Sequence, residues 1–451
     1  MGTGLKVAVI GGGSSYTPEL IEGFIRHYDS FPVKDIVLVD IPEGLHKLTV
    51  VGGLAKRMVE RSGLPISITL TLDRKEGLRD AHYVSTQIRV GLLEARAWDE
   101  TIPLKYGMLG QETTGAGGMM KALRTIPVLL EICKDMEMLC PDAWLLNFTN
   151  PSGMVTEAIM KHSSIRSIGL CNSPIAAYKW LSALYQVPEE RIFCEFVGLN
   201  HLHWISRIEI DGESKLEELL DTGGSYSASN VPQLAWNETL IRAIGALPSY
   251  YLKYFYLHRE MLAEQQAAAA IGETRAEMVK RLEDELFEIY KRPELVEKPK
   301  QLGQRGGAYY SEAAVNLMKA IHTDSGEVLT LNVMNGDTLD FLPEDASIEV
   351  NCVVTKNGAV PVPITRVPDA AVGLIQAVKT YESLAIEAAV SGSREKALLA
   401  LSSHPLTDSV CIAEAMLNEM LEQNRTYLPQ FFHGGKGSNV KNINERQTGH
   451  T

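Results

Sequence analysis

Six cysteines are all this 451-residue chain has, and no two of them form a Cys-x-x-Cys pair. Cys133, Cys140, Cys171, Cys194, Cys352 and Cys411 are scattered, which reads as reduced thiols rather than a disulfide framework. Long apolar runs are missing as well: no stretch approaches the ~18 residues that a membrane span requires. The chain passes from Met1 straight into a strand-like run over 5–10, leaving no room for a signal peptide, and Lys6 breaks the myristoylation pattern. Positive charge is in deficit, with 43 Lys and Arg against 56 Asp and Glu, a net charge of −13 and a pI near 5.4. That balance argues against nucleic acid or an anionic membrane as partner, so any bound anion must be met by basic groups gathered locally. What is present is ordinary for a globular chain, 45% apolar and 22% charged, and it is long enough to build real cores. The expectation is a soluble cytoplasmic protein of about two or three structural units.

Short apolar β-type runs at 6–10, 36–40, 66–70, 83–88, 143–148 and 167–170 alternate with amphipathic segments at 18–27, 45–61 and 121–139. Buried strands separated by helices predict βαβ units and a doubly wound, Rossmann-type parallel sheet in an α/β domain over 1–195. The rhythm changes around 196–210, and helical patterns dominate 215–292. Strands at 327–333, 347–353 and 359–361 follow, then helices at 370–390, 393–401 and 409–424. Residues 196–430 are expected to form a second α+β domain, and 431–451 a polar, flexible tail.

The first chemistry is at the N-terminus. Gly11-Gly12-Gly13-Ser14-Ser15 follows a strand and opens a helix, and Asp40 closes the next strand. Glycines let the backbone approach a pyrophosphate, the helix N-terminus supplies oriented N–H donors, and Asp40 stands where a carboxylate accepts from a ribose 2′-OH. This favours NAD over NADP, although Tyr16 fills the place of the usual third glycine and a glycine-rich turn without a ligand, or a flavin site, would share the pattern.

A second set of residues follows later strands. Asn150 in Asn147-Phe148-Thr149-Asn150-Pro151 and Cys171-Asn172 both stand at strand ends, the crevice edge where open α/β sheets bind ligands. Cys171 and His201 are two possible ligands of a divalent metal, too few for a structural zinc but suited to a catalytic ion that keeps positions open. Alone, the pair is equally compatible with a buried thiol and a turn histidine. Tyr251 and Tyr254 lie in a phenol-rich segment that reads either as a packing face or as the source of a general base. Arg89, Arg96 and Arg305 are the basic residues nearest the crevice, and arginine forks suit phosphate.

Together these motifs resemble the NAD- and divalent-metal-dependent glycoside hydrolases of family 4, and within it the 6-phospho-β-glucosidases. The resemblance rests on the run from Val9 to Leu20, Ile102–Gly107 with Gly110-Gln111-Glu112-Thr113-Thr114-Gly115, 147–153, and Gly198-Leu199-Asn200-His201. Arg305-Gly306-Gly307 with Tyr310-Ser311, and His404-Pro405-Leu406, extend it to about residue 428. It implies hydrolysis of β-linked 6-phosphoglucosides such as cellobiose 6-phosphate through C3 oxidation by bound NAD, metal-assisted C2 deprotonation, elimination of the aglycone, water addition and re-reduction. This is outside the usual two-carboxylate scheme. It further implies Cys171 and His201 as ligands of a metal such as Mn2+, and Tyr251 as the base with Tyr254 in reserve. Asn150 and Asn172 would contact sugar hydroxyls, Arg96 and Arg305 the 6-phosphate, and the loop Gly11, Gly12, Gly13, Ser14, Ser15 with Asp40 the NAD. Members acting on α-linked substrates tend to carry Asp after the metal-binding Cys; Asn172 in that place implies β-linked substrates. A homodimer or homotetramer follows from the family's habit. Glu112 receives no role.

Two other classes share parts of the pattern. A plain NAD-dependent dehydrogenase of the malate/lactate type would have the sheet and the glycine loop but needs no metal. An NAD-responsive binding protein would keep the motifs without turnover.

Overall fold

The computed structural model describes residues 4–228, 231–305 and 309–432, without the side chains of 310–312. Most of the expected tail, the Gly306-Gly307 pair and the Tyr310-Ser311 side chains therefore lie outside the described residues. The tail boundary at 430/431 is set too early, because Phe431 is a buried member of the main core.

Six strands lie parallel: β1 (Leu5–Ile10), β2 (Val33–Val39), β3 (Ser67–Thr71), β4 (Tyr83–Thr86), β5 (Trp144–Asn147) and β6 (Ser167–Gly169), in the order β3-β2-β1-β4-β5-β6. The order reverses between β1 and β4, and that switch point opens a crevice at the carboxyl ends of the strands. The central strands form here because Val7–Ile10 and Ile36–Val39 are continuous β-branched or apolar runs buried on both faces. Helices Thr17–Arg26, Leu45–Ser62, Gly115–Leu139 and Ser152–His162 pack on the sheet.

A hairpin of β7 (Ile192–Leu199) and β8 (Leu202–Ile210), joined to β9 (Glu213–Ser214) and β10 (Leu247–Pro248), makes a smaller antiparallel sheet with its own core around Phe196, Ile205, Tyr226 and Tyr250. The expected division at 195/196 falls inside β7. The chain then returns to the first sheet: β11 (Val328–Met334), β12 (Ser347–Thr355) and β13 (Gly358–Pro361) continue it antiparallel beyond β6. The large sheet is consequently mixed and nine-stranded, rather than parallel with a wholly separate neighbour. Asn351 on β12 ties the two sheets together, accepting from the Phe196 N–H at 2.8 Å and donating to the Cys194 carbonyl at 2.9 Å. Its amide does for β7 what a strand backbone would do, at the point where the β7–β8 register shifts. Among the described residues no helix is long and apolar enough to cross a membrane.

Candidate active site

The glycine loop follows β1 and is held against β2. Gly11 and Gly12 donate to the Val39 carbonyl at 2.9 and 2.8 Å, and the Gly13 N–H donates to Asp40 Oδ2 at 2.7 Å. A side chain at Gly13 would put a Cβ 2.7 Å from that carboxylate oxygen, so the approach requires glycine. The Asp40 Oδ1 accepts from Ile41 at 2.9 Å, leaving lone pairs for a diol. Burial raises the Asp40 carboxyl, against the pull of these two N–H donors and Lys47. The Ser14 N–H donates to the Gly11 carbonyl at 3.0 Å, and Ser15 Oγ to Glu283 Oε1 at 3.2 Å. The loop and the following helix Thr17–Arg26 thus present the cradle a dinucleotide pyrophosphate needs, with Asp40 beside it.

On the other side of the crevice, β5 ends in the turn bearing Asn150, whose bond to Pro151 is cis, and β6 runs into Cys171 and Asn172, the N-cap position of helix Ser173–Tyr185. The tip of the β7–β8 hairpin, Asn200-His201, reaches this edge. Asn200 stands between the Cys171 thiol, to which it hydrogen bonds, and Glu349 on β12, to which its amide donates at 3.3 Å. A Cβ on Gly153, just past the Asn150 turn, would sit 3.3 Å from that of Asn200. Asn200, which His201 follows, therefore touches both Cys171 and the start of the helix after the Asn150 turn.

His201 adopts φ of +63°, a left-handed conformation that costs a non-glycine residue about 1–3 kcal/mol and is kept where the surroundings over-determine it. Its ring stacks on Tyr251, with centroids 3.8 Å apart and planes at 17°, and its Nδ1 lies 3.1 Å from Thr113 Oγ1. Burial, with His203 nearby, pulls its pKa down to about 3, so the imidazole is neutral. Burial and then the Glu349 carboxylate push the Cys171 thiol upward, while the Ser173 N–H points at its sulfur from 3.4 Å. Among the described residues no three His, Cys, Asp or Glu side chains are grouped to hold a metal. A neutral imidazole and a thiol that a cation would deprotonate are donors that fit a divalent ion leaving positions for substrate oxygens and water.

The two tyrosines are told apart by their neighbours. Tyr251 lies on His201, whereas Tyr254 turns to Gln111, within the field of Arg96 and Glu112, and burial first drives its phenol up. Both line one cavity with Thr113, Thr114, Asn200 and Glu382.

Glu112 is the hub of the basic residues. It pairs with Arg89, with Arg96 Nη1 at 3.2 Å and with Lys121 Nζ at 2.8 Å. Burial would raise its carboxyl, but these three cations hold it well below the usual carboxylate range. Burial and then Arg89 pull Lys121 down to about 7. Arg96 also bonds Glu100 Oε1 through Nε at 2.7 Å. Arg305 lies 4.5 Å over the Tyr16 ring and donates through Nε to Glu283 at 3.0 Å, and it is near enough for its charge to act on Arg96. Arg275 joins them: it feels both arginines, and its buried Nε has no hydrogen-bond partner among the described residues. Arg89, Arg96, Lys121, Arg275 and Arg305 thus outweigh Glu100, Glu112 and Glu283, which is the local gathering of positive charge that an anion needs in an acidic chain.

Arg275, Lys121 and Glu283 escape the sequence reading. Arg275 opens a helix under an ordinary Thr274–Glu277 capping box, and nothing in that signature marks an anion site. Lys121 stands at the start of the amphipathic segment expected at 121–139, but the helix begins earlier, at Gly115, and buries it. The Glu112 signal was there, a charge between Gln111 and Thr113, but its partners come from three separate segments.

The family described as "Family 4 glycosyl hydrolase" matches residues 6–187, and its C-terminal domain matches 196–407. A Bacillus subtilis (strain 168) protein named "Probable 6-phospho-beta-glucosidase" is 49% identical over 96% of this chain and 99% of its own length. The 6-phospho-beta-glucosidase of Escherichia coli (strain K12) is 45% identical over 95% of this chain and 97% of its own. A 6-phospho-beta glucosidase from Thermotoga maritima, solved with manganese, NAD+ and glucose-6-phosphate, superposes with a TM-score of 0.85 at 34% identity, covering 94% of this chain and 99% of that one.

Proposed function

We infer the reaction from one premise: this chain belongs to family 4 of the glycosyl hydrolases. It is a glycosidase that hydrolyses β-linked 6-phosphoglucosides, of which cellobiose 6-phosphate is the model, and it ends each turnover with its NAD unchanged. When bound, NAD+ takes up the hydride of the sugar C3 and gives it back, while a divalent cation such as Mn2+ acts as a Lewis acid on the C2 and C3 oxygens. The chain's own residues divide the remaining work. Gly11, Gly12, Gly13, Ser14 and Ser15 cradle the pyrophosphate, and Asp40 accepts from the ribose. Cys171 and His201 hold the cation. Arg96 and Arg305, with Arg275 between their fields, hold the 6-phosphate, and Asn150 and Asn172 bind sugar hydroxyls. Tyr251 takes the C2 proton on its phenol oxygen, which lets the aglycone leave C1 and water add there.

The observation that carries this reading is the stack of Tyr251 on His201 at 3.8 Å, which sets the proposed base against the proposed metal ligand. It also favours Tyr251 over Tyr254, which faces the arginine side of the cavity. Asn172 in place of an Asp after Cys171 supports β-linked substrates. We place the enzyme in the cytoplasm, as a homodimer or homotetramer, on its unpaired cysteines and acidic charge for the first and the family's habit for the second.

Release of p-nitrophenol from the β-linked 6-phosphoglucoside, with NAD+ and Mn2+ each added or withheld, tests the reaction. Turnover that needs both and leaves no NADH is expected. NADH that builds up without sugar cleavage would mean a dehydrogenase, and turnover of the α-anomer alone would overturn the anomer assignment.

A further inference from the structure

The loop 110–115 is fixed from several sides. Gly110 exchanges two hydrogen bonds with the Gln265 amide, at 3.0 and 2.9 Å, and a side chain there would strike the Glu100 carbonyl. The Tyr381 hydroxyl donates to the Gly115 carbonyl at 2.7 Å. Within this held loop the hydrogen bonds have only one consistent direction. Gln111 Oε1 receives the backbone N–H groups of Thr113 and of Thr114, the latter at 3.2 Å, so that atom is the amide oxygen and can only accept. The Thr113 hydroxyl, 2.7 Å from the same oxygen, must therefore donate to it. With its proton spent, Thr113 Oγ1 can only accept from His201, 3.1 Å away, and this requires the proton of the neutral imidazole to be on Nδ1. The unprotonated nitrogen is then Nε2. The contact with Thr113 fixes which edge of the imidazole carries Nδ1, and Tyr251 on the ring face holds its plane.

We propose that Gln111 and Thr113 are positioning residues for the metal centre, locking His201 in the tautomer whose Nε2 lone pair is free to bind the cation. The proposal rests on His201 as a metal ligand. It divides the Gly110–Gly115 motif between two ends of the site. Gln111 and Thr113 serve the histidine, while Glu112 between them serves the cations of the phosphate side. Carboxylates and carbonyls often orient metal-binding histidines; here a threonine hydroxyl does so through an amide relay, and loss of such a partner typically weakens metal binding about 10- to 100-fold.

The test is Mn2+ affinity of the full-length protein with NAD+ present, read from the electron paramagnetic resonance of free Mn2+ in wild type, Thr113→Val, Thr113→Ser and His201→Ala. NAD+ affinity and the melting temperature report on folding. Thr113→Val should weaken Mn2+ binding about 10- to 100-fold, and Thr113→Ser, which restores the hydroxyl, should stay within about threefold of wild type. Wild-type affinity in Thr113→Val, or equal losses in the Val and Ser variants, overturns the positioning role. Undiminished binding in His201→Ala overturns the metal assignment beneath it, a distinct failure.

Discussion

Replacing Arg96 by Ala perturbs the proposed phosphate site at a point whose partners are all defined. The guanidinium is buried, bonded to Glu100 at 2.7 Å and paired with Glu112 at 3.2 Å. Its removal does not strand either carboxylate. Glu100 Oε2 keeps the Ala276 N–H at 2.7 Å, and Glu112 keeps Arg89 and Lys121. The stability cost should therefore fall at or below the lower end of the ~3–5 kcal/mol seen when a buried ion pair loses one partner. The catalytic cost has another source. A hydrogen bond to a charged group contributes about 1.5–3 kcal/mol, which at ~1.4 kcal/mol per factor of ten is roughly 10- to 150-fold in kcat/KM. That loss should fall on p-nitrophenyl β-glucoside 6-phosphate and spare the same glucoside without phosphate, each assayed with NAD+ and Mn2+. Arg96→Lys keeps the charge without the fork and should recover only part of the difference. Equal losses on the two substrates would refute the phosphate role and leave Arg96 as a structural counter-ion of Glu100 and Glu112.

Three further outcomes follow from the same geometry. Cys171→Ser should abolish Mn2+-dependent turnover while moving the melting temperature by less than about 4 °C, and wild-type activity in that variant would remove Cys171 from the site. In D2O, Tyr251→Phe should slow deuterium exchange at the sugar C2 by about a hundredfold or more, whereas Tyr254→Phe retains it; the reverse would transfer the base to Tyr254. Burial would raise the Glu283 carboxyl, but Arg305 and Lys47 draw it down to about 2. A carboxylate lowered on folding adds stability that is complete above the unfolded pKa near 4.5 and is lost as the pH falls toward 2, here about 3 kcal/mol. Urea unfolding of Glu283→Gln between pH 5 and 2.5 should lack that part of the slope, and parallel slopes would refute the linkage.

The sequence makes the central parallel strands plain because they are short buried runs that water cannot tolerate on either face, as Val7–Ile10 and Ile36–Val39 illustrate. It says much less about which edge a later strand joins. The apolar pattern over 328–361 announces extended chain, but its attachment to β6 is a single backbone pairing, Asn332 with Gly169, that no local pattern encodes. Residues 196–210 likewise show a change of rhythm without declaring a hairpin, since the loop Asn200-His201 lacks the glycine that would mark its left-handed position. In the site, Cys171, His201 and Tyr251 are readable only through joint motifs. Glu100 stands at i,i+4 spacing from Arg96 on one helix, but Glu112 and Glu283 reach Arg96 and Arg305 from other segments, which no local pattern encodes.

The absence of that glycine bears on function. A two-residue turn with φ of +63° at its second position is best filled by glycine or asparagine, and a histidine there gives up stability that the turn itself does not return. The compensation comes from outside the hairpin: a stack with Tyr251 on one face and a hydrogen bond from Nδ1 to Thr113 on the edge. At the hairpin's base, Asn351 of β12 fixes β7 to the large sheet, and Glu349, two residues before it on the same face, receives the Asn200 amide at the tip. The strands that rejoin the first sheet after residue 327 therefore hold the hairpin over the carboxyl end of β6, where Cys171 waits. Divided at 195/196, neither part of the chain has both metal-ligand candidates, so the proposed cation site is a product of the whole fold.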